Sequence, residues 1–456
     1  MNAKKLTPLF LLLCTTLPAA AKQFGDVEIS GFLLQEVNKG QHHSLGLSNP
    51  STYDVRGTDT VANLNRPGPS ASTGINTNIQ MLTLGYSHEF DSAAKFEVKA
   101  TKRWRNGNED VGDQPFFERY IGASHPNLGA VKLGTQMSRT WSRADSFTYP
   151  MGLSSKWSES GAGYNILPKS IRYTSPLFEG TLGKLNIEFT YAYDDKNPLN
   201  TVTLPYAPWG IAGGDVRTSA ATNTVKPRLF EFFAQFSKDK HLIEYTFQHA
   251  ENAWQSSWGK GALVGGFGNP DTPGANSPRS ISEDVHIFEG DWYFKENWRL
   301  TYGLRRNSWS GAPSICDYNT VPHSGDPICA WPYPGFNYGS NVTTAYEANS
   351  IDAMLGTARF MGPWTFTGGL VYLGKGHTEN DVNWGQDNSA VFVNLGAYRK
   401  IPEIYKDLTV YAQFEHIQFS KLGPAPLSMP NNTAYFVDSR AHKSSNAIIL
   451  GAKIVF

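Results

Sequence analysis

The chain has no long hydrophobic run beyond its first residues. After position 21 no stretch reaches the roughly 18 consecutive apolar residues of a membrane-spanning helix, so helical insertion is excluded. Cysteine is also scarce, with three in 456 residues, and neither charge sign is in excess, at 40 Lys+Arg against 40 Asp+Glu. A balanced chain without a basic patch is not built to hold nucleic acid. Metal chemistry has little to work with. His42-His43 has no ligands at a recognisable spacing, and only His323 lies near Cys316 and Cys329. Neither a metal nor a cofactor is expected. Catalytic constellations are missing too: Ser282, Asp284 and His286 in "SISEDVH" share a strand face only because they are an even number apart, and nothing supplies a nucleophile elbow. No catalytic residue is expected, and the chain is not read as an enzyme.

What is present begins with "MNAKKLTPLFLLLCTTLPAAA", where Lys4 and Lys5 precede a short apolar run and Ala19-Ala20-Ala21. This is the pattern of a cleaved export signal covering 1–21, followed by a single domain over 22–456. Cys14 leaves with the signal, and the bulky Leu13 before it argues against lipid attachment. Without Lys4 and Lys5, 38 basic side chains face 40 acidic ones. In an exported chain, Cys316 and Cys329 close a short Pro/Gly-containing loop and are expected to form a disulfide.

Alternation is the second positive signal. "LNIEFTYAYDD" sets Leu185, Ile187, Phe189, Tyr191 and Tyr193 against Asn186, Glu188 and Thr190. "WRLTYGLR" sets Trp298, Leu300, Tyr302 and Leu304 against Arg299, Thr301 and Arg305. A period of two is a strand, and a greasy, aromatic-ended face opposite a charged one suits a wall between lipid and water. Tight connections at 91–94, 125–128, 179–183, 238–240, 295–297, 361–363 and 402–407 interleave with long Gly/Pro/Ser/Asn-rich segments near 41–72, 106–114, 137–168, 195–225, 254–279, 311–343, 377–388 and 422–445. Seven short and eight long connections join sixteen strands. The expected fold is all-β: an antiparallel transmembrane β-barrel of about sixteen strands with long extracellular loops. Closure removes every unpaired edge from hydrocarbon. It also explains the ending "NAIILGAKIVF": the last strand must meet "FGDVEISGFLLQEV" (24–37), and Phe456 falls in the interfacial aromatic girdle. A terminal Phe after such a strand is also the signature read by the barrel-assembly machinery.

Several stretches then resemble the general porins of Gram-negative bacteria, which are trimeric and sixteen-stranded. They are "ERYIGASHPNLGAVKLGTQ" (118–136), "KSIRYTSPLFEG" (169–180), "VYAQFEHIQFSK" (410–421) and the terminal "GAKIVF". The resemblance implies a homotrimer in the outer membrane, among its lipid and lipopolysaccharide, with a water-filled channel in each subunit for passive diffusion of small polar solutes and ions. It also implies that the third loop, 137–168, folds into the barrel and that acids on it face basic residues across the lumen, setting a transverse field.

The candidate constriction residues follow from strand parity. With Phe96, Val98 and Trp104 outward, Glu97, Lys99, Thr101, Arg103 and Arg105 face the lumen and Lys102 faces out. Arg119 has inward parity if Tyr120 points out, and Lys132 joins the set. The third loop contributes Asp145 and Glu159 and, of opposite sign, Arg139, Arg143 and Lys156. Thr83, Thr135 and Tyr164 stand where the family often has Arg, and its "PEFGG" is absent from the loop. The basic third strand leans the ion preference toward anions. Trp141, Trp157, Tyr149 and Tyr164 could stack on sugar rings, but packing of the loop on the wall is the favoured use. "WQSSWGKG" (254–261) and "WPYPGFNYG" (331–339) are read in the same way. Two alternatives stay open: a channel preferring sugars, oligosaccharides or organic acids, and a barrel-based adhesin or receptor.

Overall fold

In "WRLTYGLRRNSWSG", Arg299, Thr301, Arg305 and Asn307 are buried while Leu304 and Arg306 between them are exposed. The inside of this sheet is therefore the polar side. The computed structural model describes residues 22–41, 75–105, 108–109, 118–158, 160–164, 166–193, 228–251, 282–311, 346–378, 389–420, 428 and 443–456. Sixteen strands form its wall. They are β1 (Val27–Gln41), β2 (Ile75–Glu89), β3 (Lys95–Arg105), β4 (Glu118–His125), β5 (Gly129–Met137), β6 (Ile166–Thr174), β7 (Gly183–Tyr193) and β8 (Arg228–Lys238). The second half is β9 (His241–Glu251), β10 (Ser282–Lys295), β11 (Trp298–Gly311), β12 (Tyr346–Met361), β13 (Trp364–Leu373), β14 (Ala390–Lys400), β15 (Leu408–Phe419) and β16 (Ser444–Val455). Each pairs antiparallel with its neighbour in sequence. β16 then pairs with β1, from Phe32 opposite Val455 to Gln41 opposite Asn446. Beyond β16, Phe456 and Gly31 exchange backbone hydrogen bonds of 2.7 and 3.0 Å.

The tight connections all lie at one end of the barrel. Two residues join β8 to β9 and β13 to its predecessor, where Asp239 (φ +51°) and Gly362 (φ +58°) adopt the left-handed backbone such hairpins need. Outward parity carries the large exposed apolar residues, among them Leu84, Ile121, Phe189, Leu304, Leu395 and Leu450. An exposed apolar belt of this kind is a surface for lipid. Near the tight-turn end it turns aromatic, with Trp292, Phe294, Trp298, Trp364 and Phe366, and Arg359 and Arg399 lie over Trp298 and Trp364 at 5.3 and 5.4 Å. Among the described residues no helix is long and apolar enough to cross a membrane.

Candidate functional site

The third loop enters the barrel where β5 ends. Ser138 caps helix α1 (Arg139–Thr148): its hydroxyl accepts from the Trp141 N–H at 3.1 Å. The Glu231 carboxylate of β8 accepts the backbone N–H of Arg139 at 2.9 Å, placing negative charge at the positive helix end. The Arg139 side chain is bidentate to Glu188 of β7, with 2.6 Å for the Nη2 bond. One turn on, Arg143 donates Nε to Glu244 of β9 at 2.9 Å and Nη2 at 2.5 Å. At the other end of α1, Arg299 of β11 donates to the carbonyls of Phe147 (3.2 Å) and Tyr149 (2.5 Å), satisfying orphan acceptors, while its Nε holds Asp291 at 2.9 Å.

From this tip the chain returns through α2 (Ser154–Trp157) against the strands opposite. Lys156 meets Glu415 of β15 at 2.5 Å, and Trp157 Nε1 donates to Glu289 of β10 at 2.6 Å. Arg305 is 0% exposed and donates to the carbonyls of Trp157 (2.6 Å) and Ser160 (2.8 Å) and to Asp352 (2.7 Å). Gly161 (φ +88°) passes so close that a Cβ there would lie 2.7 Å from this guanidinium. The Tyr164 N–H reaches Gln248 at 2.7 Å, and burial first, then the Glu283 charge, pushes its phenol well above the ordinary tyrosine value. Between these polar anchors, Phe147, Met151, Leu153 and Trp157 pack on Val285, Ile287, Met354, Ala358 and Val371. Fully burying each such side chain contributes about 1.5–3 kcal/mol.

The loop thus lies along the inner wall from β7 to β15. On the side where it is seated, basic side chains of the loop meet an acidic wall. Arg139, half-buried, and Arg143, buried, anchor the loop to Glu188 and Glu244 and are spent on holding it. None of the wall acids was named as a site residue from the sequence, where Glu188 appears only on the polar side of its strand, although each has inward parity. Asp145 is half-buried and accepts from Ser158 Oγ at 3.3 Å. Trp141, Trp157 and Tyr164 pack as expected, whereas Tyr149 stays 40% exposed.

On β3, Glu97, Lys99, Thr101 and Arg103 share the inner face, and Arg103 lies over the Trp141 ring at 5.6 Å. Lys99 pairs with Glu118 and Lys132 with Glu97, each at 2.8 Å, and Lys132 also donates to the Tyr120 hydroxyl at 3.1 Å. That contact corrects one assignment. Tyr120 points inward, so Arg119 falls outside with Ile121 and Leu133, because Glu118 sits opposite inward Thr101 and Arg119 opposite Ala100. The Arg105 side chain, Glu159, Cys316, Cys329 and residues 1–21 lie outside the described residues. Asp284 and His286 are on the outer face and contact different partners, His249 at 2.6 Å and Tyr245 at 2.8 Å. Among the described residues no group of three or more potential ligands could hold a metal ion.

A closed sixteen-stranded barrel with its third loop folded inward is the porin architecture. No protein family and no curated protein matches the sequence. Solved structures do. An anion-selective porin from Comamonas acidovorans is similar at TM-score 0.54 and 12% identity, covering 94% of this chain and 99% of that one. OmpF of Salmonella typhi, in complex with daunomycin, gives 0.53 at 7% identity over 96% and 100%. In-vitro folded OmpT, an outer membrane protein of Vibrio cholerae, gives 0.52 at 11% identity over 96% and 100%. The chain has the fold of the Gram-negative porins.

Proposed function

We propose that the protein is an outer-membrane porin, a water-filled channel for passive diffusion of small hydrophilic solutes and ions. The observation that carries this reading is the third loop, fastened along one side of the lumen while the polar inner faces of β1–β5 stand opposite. Geometric exclusion by the loop and the field of the lining charges do the sorting, and flux follows the gradient. The basic residues of β3 lean the ion preference toward anions, and because Lys99 and Lys132 are each paired to an acid that preference is weak. Single-channel recording in a planar bilayer under a KCl gradient tests this: ohmic steps with a small chloride-selective reversal potential are expected, and correctly folded protein that never conducts refutes it.

A homotrimer belongs to the same reading. Outward Gln35, Asn78, Gln80, Lys102 and Arg119 form a polar interruption of the apolar belt on β1–β4, with Asn78 donating to Gln35 at 3.0 Å. An outward arginine facing lipid at mid-wall costs about 2–4 kcal/mol, which a second subunit over this face removes. Residues 1–21 are proposed to direct export. Phe456, held on Gly31, is proposed as the signal to the assembly machinery that places the barrel among outer-membrane lipid and lipopolysaccharide.

A further inference from the structure

Most inward basic groups of this barrel have a carboxylate within ion-pair distance: Lys99, Lys132, Arg139, Arg143, Lys156, Arg172, Arg299 and Arg305. Lys453 on β16 differs. Its ammonium lies over the rings of Phe32, 4.8 Å away on β1, and Tyr149, 5.1 Å away at the loop tip, and it makes no salt bridge among the described residues. Tyr149 meets Tyr398 of β14 edge to face at 6.4 Å, and Tyr398 stacks on Tyr411 of β15 at 5.1 Å and 27°. Two rings therefore flank the ammonium, and two more continue from Tyr149 along the wall, where the tip of the third loop faces the seam that closes the barrel.

We propose that this cluster is a binding subsite for aromatic monocarboxylates, a proposal that rests on the channel reading above. The ammonium supplies the counter-charge for one carboxylate, and Tyr149, 40% exposed, offers a ring against which a planar ligand can stack. The two nearby acids restrict the ligand further. Glu36, which accepts from the Tyr411 hydroxyl at 2.5 Å, and Asp145 both act electrostatically on Lys453. A second carboxylate on the ligand would be repelled by them, so a monoanion is favoured over a dianion. A small aliphatic anion gains the charge contact but not the ring contact, and a neutral aromatic gains the reverse.

Benzoate block of single-channel current is the direct test. Sodium benzoate added to one side should reduce the open-channel current at concentrations where acetate and benzyl alcohol do not. Lys453→Met and, separately, Tyr149→Ala should each raise the half-blocking concentration by about tenfold while the channel still conducts. Tyr149 lies on a loop, so that variant keeps the test open if a change in the closing strand impairs assembly. Equal block by acetate and benzoate, or block that survives both substitutions, overturns the subsite and leaves the channel standing. A wild-type barrel that does not conduct takes down the channel reading itself.

Discussion

Glu244 shows how much rests on single charges inside this barrel. It takes both ends of the Arg143 fork, and both groups are buried. Removing one partner of a buried pair leaves the other charged in a water-poor site, at a cost of about 3–5 kcal/mol. Glu244→Gln is therefore expected to lower the unfolding temperature of the folded barrel and to make single-channel current noisier, read by gel heat-modifiability and bilayer recording. Sequence parity put Lys99 and Arg103 on the inner face they occupy. It failed at Arg119 because β4 is short and its phase depended on Tyr120, whose hydroxyl reaches inward to Lys132. Parity names a face only once one residue of the strand is anchored.

The third loop is the element on which function turns. Its entry after β5 and its length were legible in the sequence, but its seat on the wall was not. That seat depends on glycines that let backbone approach side chains closely. At Gly152 (φ +69°) a Cβ would lie 2.6 Å from Asn394 and Gln413, and at Gly161 it would strike Arg305. Gly161→Ala should both strain the backbone and displace the guanidinium that holds two loop carbonyls, so the loop loosens. The expected result is larger or fluctuating conductance from a barrel whose strand content, followed by circular dichroism, is unchanged. An unaltered conductance trace would show that this contact does not fix the loop.

At the scale of the whole molecule, the outer surface divides into a lipid belt and the polar interruption on β1–β4. The two regions predict opposite responses to charge. Leu395→Arg, on the exposed belt of β14, should lower barrel stability by about 2–4 kcal/mol. Arg119→Glu should leave the folded monomer intact and reduce the trimer fraction on a non-denaturing gel or by cross-linking. A trimer indifferent to Arg119→Glu would place the subunit contact elsewhere.

The period-two pattern and the alternation of short and long connections determined the sixteen-stranded closed barrel, because lipid on one side and water on the other impose the same rule on each strand independently. They also determined which strands must meet at closure, since no edge is tolerated in hydrocarbon. Tertiary structure alone decided what fills the lumen. The loop's arginines could have faced the passage or the wall. The wall won because Glu188, Glu244 and Glu415 arrive from strands 49 to 259 residues away in sequence, a coincidence no local pattern encodes. Lys453 was left between rings for the same reason: its neighbours come from both ends of the chain and from the loop tip, and they meet only after the barrel has closed.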